Sequence, residues 1–271
     1  MLSIEIITIG NEILMGDTID SNSNYICKNL TQMGGYISRV IQIRDEYKTI
    51  IEEIQSSLSR EPSFLFILGG LGPTIDDGTL AAVARSTNHP LTLDKRAYDF
   101  IKSKYEELAE KGYLANGSMT PAREKMAWIP TGSIPIENPV GTAPGIVLNL
   151  SSTIIINLPG VPSELKGIFE LISESELKPK FTKSFFARQV LVADTNDETI
   201  LAPIISDLSN LYPDVYIKSK PKGYGADVKI RIMITFIGDL KENTGNYLNE
   251  ISDKLVSILA NQNICATIVE E

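Results

Sequence analysis

Acidic side chains recur in this chain beside glycine-rich turns, a pairing suited to a phosphate ester held with a divalent cation. The segment GNEILMGDTIDSNS, residues 10–23, offers Glu12, Asp17 and Asp20 and ends in small polar residues; Asp20 or Ser21 could alternatively serve simply as the N-cap of the next helix. In LGGLGPTIDDGT, residues 68–79, Gly69, Gly70 and Gly72 free the backbone to turn its N–H groups toward an anion, and Thr74 adds a hydroxyl. Asp76 and Asp77 follow at a helix start, where two adjacent carboxylates cannot both cap, so one of them is open to hold a cation. The segment NPVGTAPG, residues 138–145, is a stiff loop whose Asn138, Gly141, Thr142 and Gly145 suit close approach to a phosphate. In LPGVPSELKG, residues 158–167, Gly160 precedes a helix opened by Pro162, and Glu164 either supports that helix start or transfers a proton. Asp45 follows another expected strand, so Asp20, Asp45 and Asp77 come from three strand ends. Mg²⁺ prefers such carboxylate and phosphate oxygens, and these three are the expected metal ligands. Asp76, Glu12 and Glu164, in that order, are the candidates for a general base, and Lys125 or Lys166 could supply a fixed positive charge.

Other chemistries fit poorly. The single histidine, His89, precedes Pro90 in an expected loop, and with only Cys27 and Cys265 beside it no zinc hydrolase scheme assembles. No serine sits in a G-x-S-x-G turn, and the glycine loop lacks the Gly-Lys-Ser/Thr of a Walker motif. Trp128, Tyr98, Phe100 and Tyr105 are expected to serve core or helix packing. The 25 basic against 34 acidic side chains give a net charge of −9, which repels nucleic acid and anionic membranes. Two cysteines suit a reducing cytoplasm, and no apolar run is long enough to span a membrane. A cytoplasmic protein with no nucleic-acid or membrane partner is therefore expected.

These segments need elements that bring them to one place. The apolar runs at 4–9, 64–68, 146–150 and 154–158 read as strands, 36–43 alternates like one, and helical spacing recurs around 25–33, 47–58, 95–111 and 162–172. Strands alternating with helices predict an α/β domain over 1–178, with a mostly parallel sheet covered on both faces. Ligands of such sheets bind outside the carboxyl ends of the strands, where these segments fall. From 179 to 271 the order changes to β-α-β-β-α-β, a small α+β split-βαβ domain with two strands joined across Gly223-Tyr224-Gly225.

Together the four segments resemble the molybdenum-cofactor-biosynthesis (MoCF) domain family, most closely the amino-terminal domain of CinA-type proteins. GNEILMGDTIDSNS is similar to the family's G-x-E-L-L-x-G-x-x-x-D-T-N-S, with Ile13 and Ser21 departing. GGLGPTIDDGT, NPVGTAPG and PGVPSEL match as they stand, and the likeness covers about residues 3 to 175. Before the third motif relatives often carry Lys-Gln-Ala; Lys125 and Ala127 fit, and Met126 departs. The resemblance implies a three-layer, molybdopterin-binding-like α/β sandwich that takes a nucleotide or pterin phosphate at this sheet edge. It implies carboxylate ligands at Asp20, Asp45 and Asp77, and a homo-oligomer. For CinA-type domains it implies Mg²⁺-assisted hydrolysis of ADP-ribose or a related dinucleotide pyrophosphate. Two alternatives are a molybdopterin-handling enzyme of cofactor assembly and a non-catalytic nucleotide-binding module. Longer CinA proteins add a nicotinamide-mononucleotide deamidase domain; residues 181–271 read instead as the small α+β domain, so no deamidase activity is expected.

Overall fold

The structure, a computed structural model, describes residues 2–182, 184–221, 229–239 and 244–269. It divides into two units: Leu2–Leu30 with Tyr36–Lys180, and Phe181 onward with Thr31–Gly35.

In the larger unit, β1 (Ser3–Ile9), β2 (Tyr36–Ile43) and β3 (Phe64–Leu68) are followed by β4 (Leu91–Leu93), β5 (Trp128–Pro130), β6 (Ile134–Ile136), β7 (Gly145–Asn149) and β8 (Ile154–Leu158). Six of them form one sheet in the order β2-β1-β3-β8-β7-β6, while β4 and β5 pair separately. The four strands β2, β1, β3 and β8 run parallel. Helices α1 (Asn11–Leu14), α2 (Ser21–Gln32), α3 (Tyr47–Leu58), α4 (Thr79–Thr87), α5 (Lys95–Glu110), α6 (Pro121–Lys125) and α7 (Pro162–Ile172) connect them.

Two-residue alternation along β3 explains why the sheet is covered twice. Leu65 and Ile67 pack with Ile50 and Ile54 of α3 and Val83 of α4. Phe66 points the other way, with its ring centroid 6.4 Å from that of Phe169 in α7, which in turn meets Tyr25 of α2 at 5.6 Å. A strand buried on both faces has no polar side, so FLFIL reads as a continuous apolar run. The result is a three-layer α/β sandwich.

Along one edge the parallel strands end level. Thr8 pairs with Leu68 and Leu68 with Leu158, while Ile9 pairs with Ile43. The strands β7 and β8 form an antiparallel hairpin closed by Leu150 N–H to the Thr153 carbonyl at 2.9 Å. A parallel pair needs a long crossover, which this short link cannot supply. Because β7 runs the other way, its start at Gly145 reaches the same edge at which β1, β2, β3 and β8 finish.

The smaller unit contains β9 (Ser184–Ala193), α8 (Glu198–Leu211), β10 (Val215–Lys220), β11 (Ile230–Asp239), α9 (Thr244–Asn261) and β12 (Ala266–Val269). Its antiparallel sheet has the order β10-β11-β9-β12, so each βαβ crossover skips one strand, as the split pattern requires. Its core holds Leu201, Leu208, Ile232, Ile234, Ile251 and Leu255. The Gly223-Tyr224-Gly225 connection lies outside the described residues.

Candidate functional site

The level strand ends gather the four glycine-bearing segments and, as a fifth contributor, Asp45 around a cavity of about 550 Å³. Gly10 and Glu12 enter from the end of β1, Asp45 from β2, Gly69 to Pro73 and Asp77 from β3, Thr142 from the loop before β7, and Gly160 and Glu164 from β8. Of the expected site residues, Glu12, Asp45, Gly69, Gly70, Gly72, Asp77, Thr142, Gly160 and Glu164 therefore share one space.

The turn after β3 is built for glycine. Gly70 has φ +67°, and a Cβ there would lie 2.1 Å from Thr79 Oγ1. That hydroxyl is fully buried and donates to the Gly69 carbonyl at 2.9 Å, which ties the turn to the start of α4. Neither Asp76 nor Asp77 caps α4, whose N-cap is Gly78 without a side-chain bond. Asp77 Oδ2 instead accepts from Thr74 N–H at 2.9 Å and Thr74 Oγ1 at 2.5 Å, leaving its other oxygen for a ligand. Thr74 thus holds Asp77, while Lys125 Nζ donates to the Thr74 carbonyl and anchors the loop from α6.

Asp45 is the most constrained carboxylate. Its Oδ1 is buried and has no hydrogen-bond partner among the described residues. Burial, and after it the charges of Asp76, Asp77 and Glu12, push its carboxyl above the ordinary range, with Lys125 pulling the other way. An orphaned, buried oxygen surrounded by like charge is where a divalent cation fits. Asp45 and Asp77 would supply two oxygen ligands to it, with water and ligand oxygens supplying the rest.

Asp20 has a different position from the one expected. Its Oδ1 accepts Ser23 N–H at 2.9 Å, capping α2, and its Oδ2 accepts the Gln42 amide at 3.0 Å. Burial opposes its charge, but the bonds from Ser23 and Gln42 outweigh that and hold the carboxyl below its usual range. It does not line the cavity, and no group of three metal-competent side chains forms among the described residues. The expected trio of Asp20, Asp45 and Asp77 is not brought together: Asp45 and Asp77 line the cavity, whereas Asp20 is taken up by its helix and the neighbouring strand.

The order of proton-transfer candidates also changes. Asp76 is exposed, outside the cavity lining, and held below its usual range by a bond from Thr74, which makes it a weak base. Glu164 lines the cavity and is half-buried, and burial pushes its carboxyl upward against the hydrogen bond from Asn138. Asn138 organises the third segment: its amide nitrogen donates to Glu164 Oε2 at 2.6 Å and to the Ala143 carbonyl at 2.8 Å. Its oxygen accepts the N–H groups of Val140 and Gly141 at 3.0 and 2.7 Å. A Cβ on Gly141 would fall 2.1 Å from Glu164 Cδ, so this loop and the start of α7 meet only because residue 141 is glycine. Asn138, Gly141 and Gly145 do not line this cavity; Asn138 and Gly141 line a separate one of about 250 Å³, and Gly145 packs on Ile168, where a Cβ would be 2.6 Å from Cγ2.

Three further placements were not legible in the motifs. Asn22 donates to the Gly160 carbonyl at 2.7 Å, joining the first and fourth segments. Its signal was only its place beside Asp20 in the DSNS run. Lys166 stands 5.3 Å from the Tyr25 ring rather than in the cavity, and Met126 is buried in the core under α5 and β5. No helix among the described residues is long and apolar enough to cross a membrane.

Comparison with known proteins agrees with this architecture. A family model described as a probable molybdopterin binding domain (MoCF_biosynth) matches residues 5–179. A Pyrococcus furiosus protein is 40% identical over 228 residues, spanning 84% of this chain and 88% of its own length. A Thermococcus kodakarensis protein is 37% identical over 244 residues, spanning 90% of this chain and 95% of its own. The crystal structure of CinA, a protein with unknown function from Thermoplasma acidophilum, aligns with TM-score 0.58 at 35% identity, covering 64% of this chain and 98% of that one.

Proposed function

The chain belongs to the MoCF family of probable molybdopterin binding domains, and on that premise we propose that its sheet-edge cavity binds the phosphate of a pterin or nucleotide ester together with a divalent cation. The observation that carries this reading is Asp45, whose buried oxygen has no partner among the described residues and whose neighbours are carboxylates. A cation held by Asp45 and Asp77 would neutralise that cluster and polarise a phosphate bound beside it. The Gly69 to Gly72 turn offers N–H groups to phosphate oxygens, and the Thr142 hydroxyl adds a donor from the opposite wall. The test is a titration with adenosine monophosphate and a pterin monophosphate, with and without Mg²⁺. Binding that needs Mg²⁺ and weakens about tenfold or more in Asp45→Asn supports the reading; equal binding without metal, or none, overturns it.

A second reading adds turnover: hydrolysis of a pyrophosphate linking adenosine to another group, as in ADP-ribose. Glu164 favours it, since a half-buried carboxyl raised by burial and oriented by Asn138 is suited to taking a proton from an attacking water. Release of AMP from ADP-ribose, suppressed about 10²-fold or more in Glu164→Gln while binding persists, is the expected result. A panel of ADP-ribose, FAD, NAD and ATP left intact across several metals leaves the binding reading alone standing.

A further inference from the structure

A second cavity, of about 350 Å³, opens beside the first and shares Gly70, Leu71, Gly72 and Asp77 with it. Its lining is mainly apolar. Its other walls are Leu80 and Ala81 of α4, Leu91 of β4, Pro121 and Met126 at the two ends of α6, and Trp128 of β5, with Glu124 and Lys125 of α6 as its remaining charged members. Leu80 and Met126 belong to the packed core, so these walls are fixed rather than opportunistic. Trp128 is 41% exposed although its strand neighbours Ile129 and Pro130 are buried, so a large part of the indole faces open space. The two cavities meet along residues 70–72, where Gly70 and Gly72 put no side chain between them.

One chamber therefore presents carboxylates and turn amides, and the adjoining one presents mainly aliphatic surface and an indole, beside the charged pair Glu124 and Lys125. A ligand occupying both has a charged end and a flat apolar end. We propose that the second chamber takes the fused heteroaromatic ring, purine or pterin, of the ligand whose phosphate lies in the first, with that ring packed against Trp128. The inference rests on the phosphate-ester reading above and extends it to a ring subsite and to the role of Trp128, for which the sequence favours packing over ring stacking. Aromatic contact with a ring contributes about tenfold in affinity or more.

Trp128 is the only tryptophan in the chain, so indole emission reports from this chamber alone. The full chain is titrated in Mg²⁺ with adenosine monophosphate, with a pterin monophosphate and with inorganic pyrophosphate, and binding is followed in parallel by calorimetry. A saturable emission change with either ring-bearing probe, little change with pyrophosphate, and about tenfold or weaker ring-probe binding in Ala81→Phe are expected. Unchanged pyrophosphate affinity in Ala81→Phe shows that the variant is folded. Trp128→Ala, read by calorimetry at a partly exposed position, gives the same comparison should Ala81→Phe fail to fold. A response to only one of the two rings identifies which the chamber takes. The inference is overturned by ring probes that bind without altering the emission, by variants that bind them as tightly as the parent, or by no ring-probe binding at all. Because the readout is binding, an absence of ADP-ribose hydrolysis defeats the turnover reading and leaves this one intact. Ring-probe binding without any pyrophosphate binding would instead defeat the phosphate site.

Discussion

At this sheet edge, what donates to a carboxylate decides what it does. Asp20 and Asp45 are the same residue type at the ends of neighbouring elements, yet Asp20 receives Ser23 and Gln42 whereas Asp45 Oδ1 receives nothing among the described residues. Asp20→Ala should cost about 1 kcal/mol of stability through the lost helix cap and leave Mg²⁺-dependent binding near the parent value. Asp45→Asn should do the reverse, and thermal melts run beside metal titrations test the crossing. Glu164 supplies a prediction in pH. Its folded carboxyl is raised above the ordinary value, so between the unfolded and folded values the native state binds the extra proton. The stability this contributes is present below the unfolded value and is lost as pH rises through the folded one. Glu164→Gln keeps a neutral side chain throughout, so its stability relative to the parent should increase as pH is raised from 4 toward neutrality. Denaturant midpoints across that range check the sign, and a constant difference would refute it.

Elements carry much of what the sequence already made legible. Parallel strands buried on both faces appear as unbroken apolar runs, so β1, β3 and β8 were visible as such, and glycine-rich segments at their ends marked the ligand edge. The hairpin of β7 and β8 was less visible, because apolar runs state burial and not direction; the short link between them decides it. Which of the acidic residues reach the cavity was only partly legible, because a helix cap and a ligand-facing position select the same residue type. Asn22 and Thr79 were hidden for a related reason: each is a small polar residue at a helix start, and only the fold reveals that Asn22 bonds to the turn of another segment and Thr79 to the turn that opens its own. The turn after β3 gives the sharpest element-level test. Gly70→Ala combines a left-handed backbone with a Cβ placed on Thr79 Oγ1, and that hydroxyl is what fastens the turn to α4. The expected loss is about 2 kcal/mol or more, together with weaker phosphate binding. A melt unchanged from the parent would show that α4 can move away at no cost.

Over the whole molecule the problem is charge. The chain carries −9, and the sheet-edge cavity proposed to take a phosphate is lined by Glu12, Asp45, Asp77 and Glu164, so without a cation an approaching phosphate meets repulsion both from afar and at contact. Lys125 offsets this only in part, because its ammonium is tied to the Thr74 carbonyl on the loop. This predicts an inverted salt response. Raising ionic strength from about 0.01 M to 0.15 M shortens the screening length from about 30 Å to 8 Å. In metal-free buffer, that screening should strengthen the weak binding of a nucleotide or pterin phosphate. With Mg²⁺ saturating, the local field at the cavity changes sign, and the same salt increase should weaken binding or leave it unchanged. Titrations at four salt concentrations, with EDTA and with Mg²⁺, read the two slopes directly. Binding that falls with salt in EDTA would mean that donors of the glycine turns already dominate the carboxylates, and that the cation is not what makes the site attractive to phosphate.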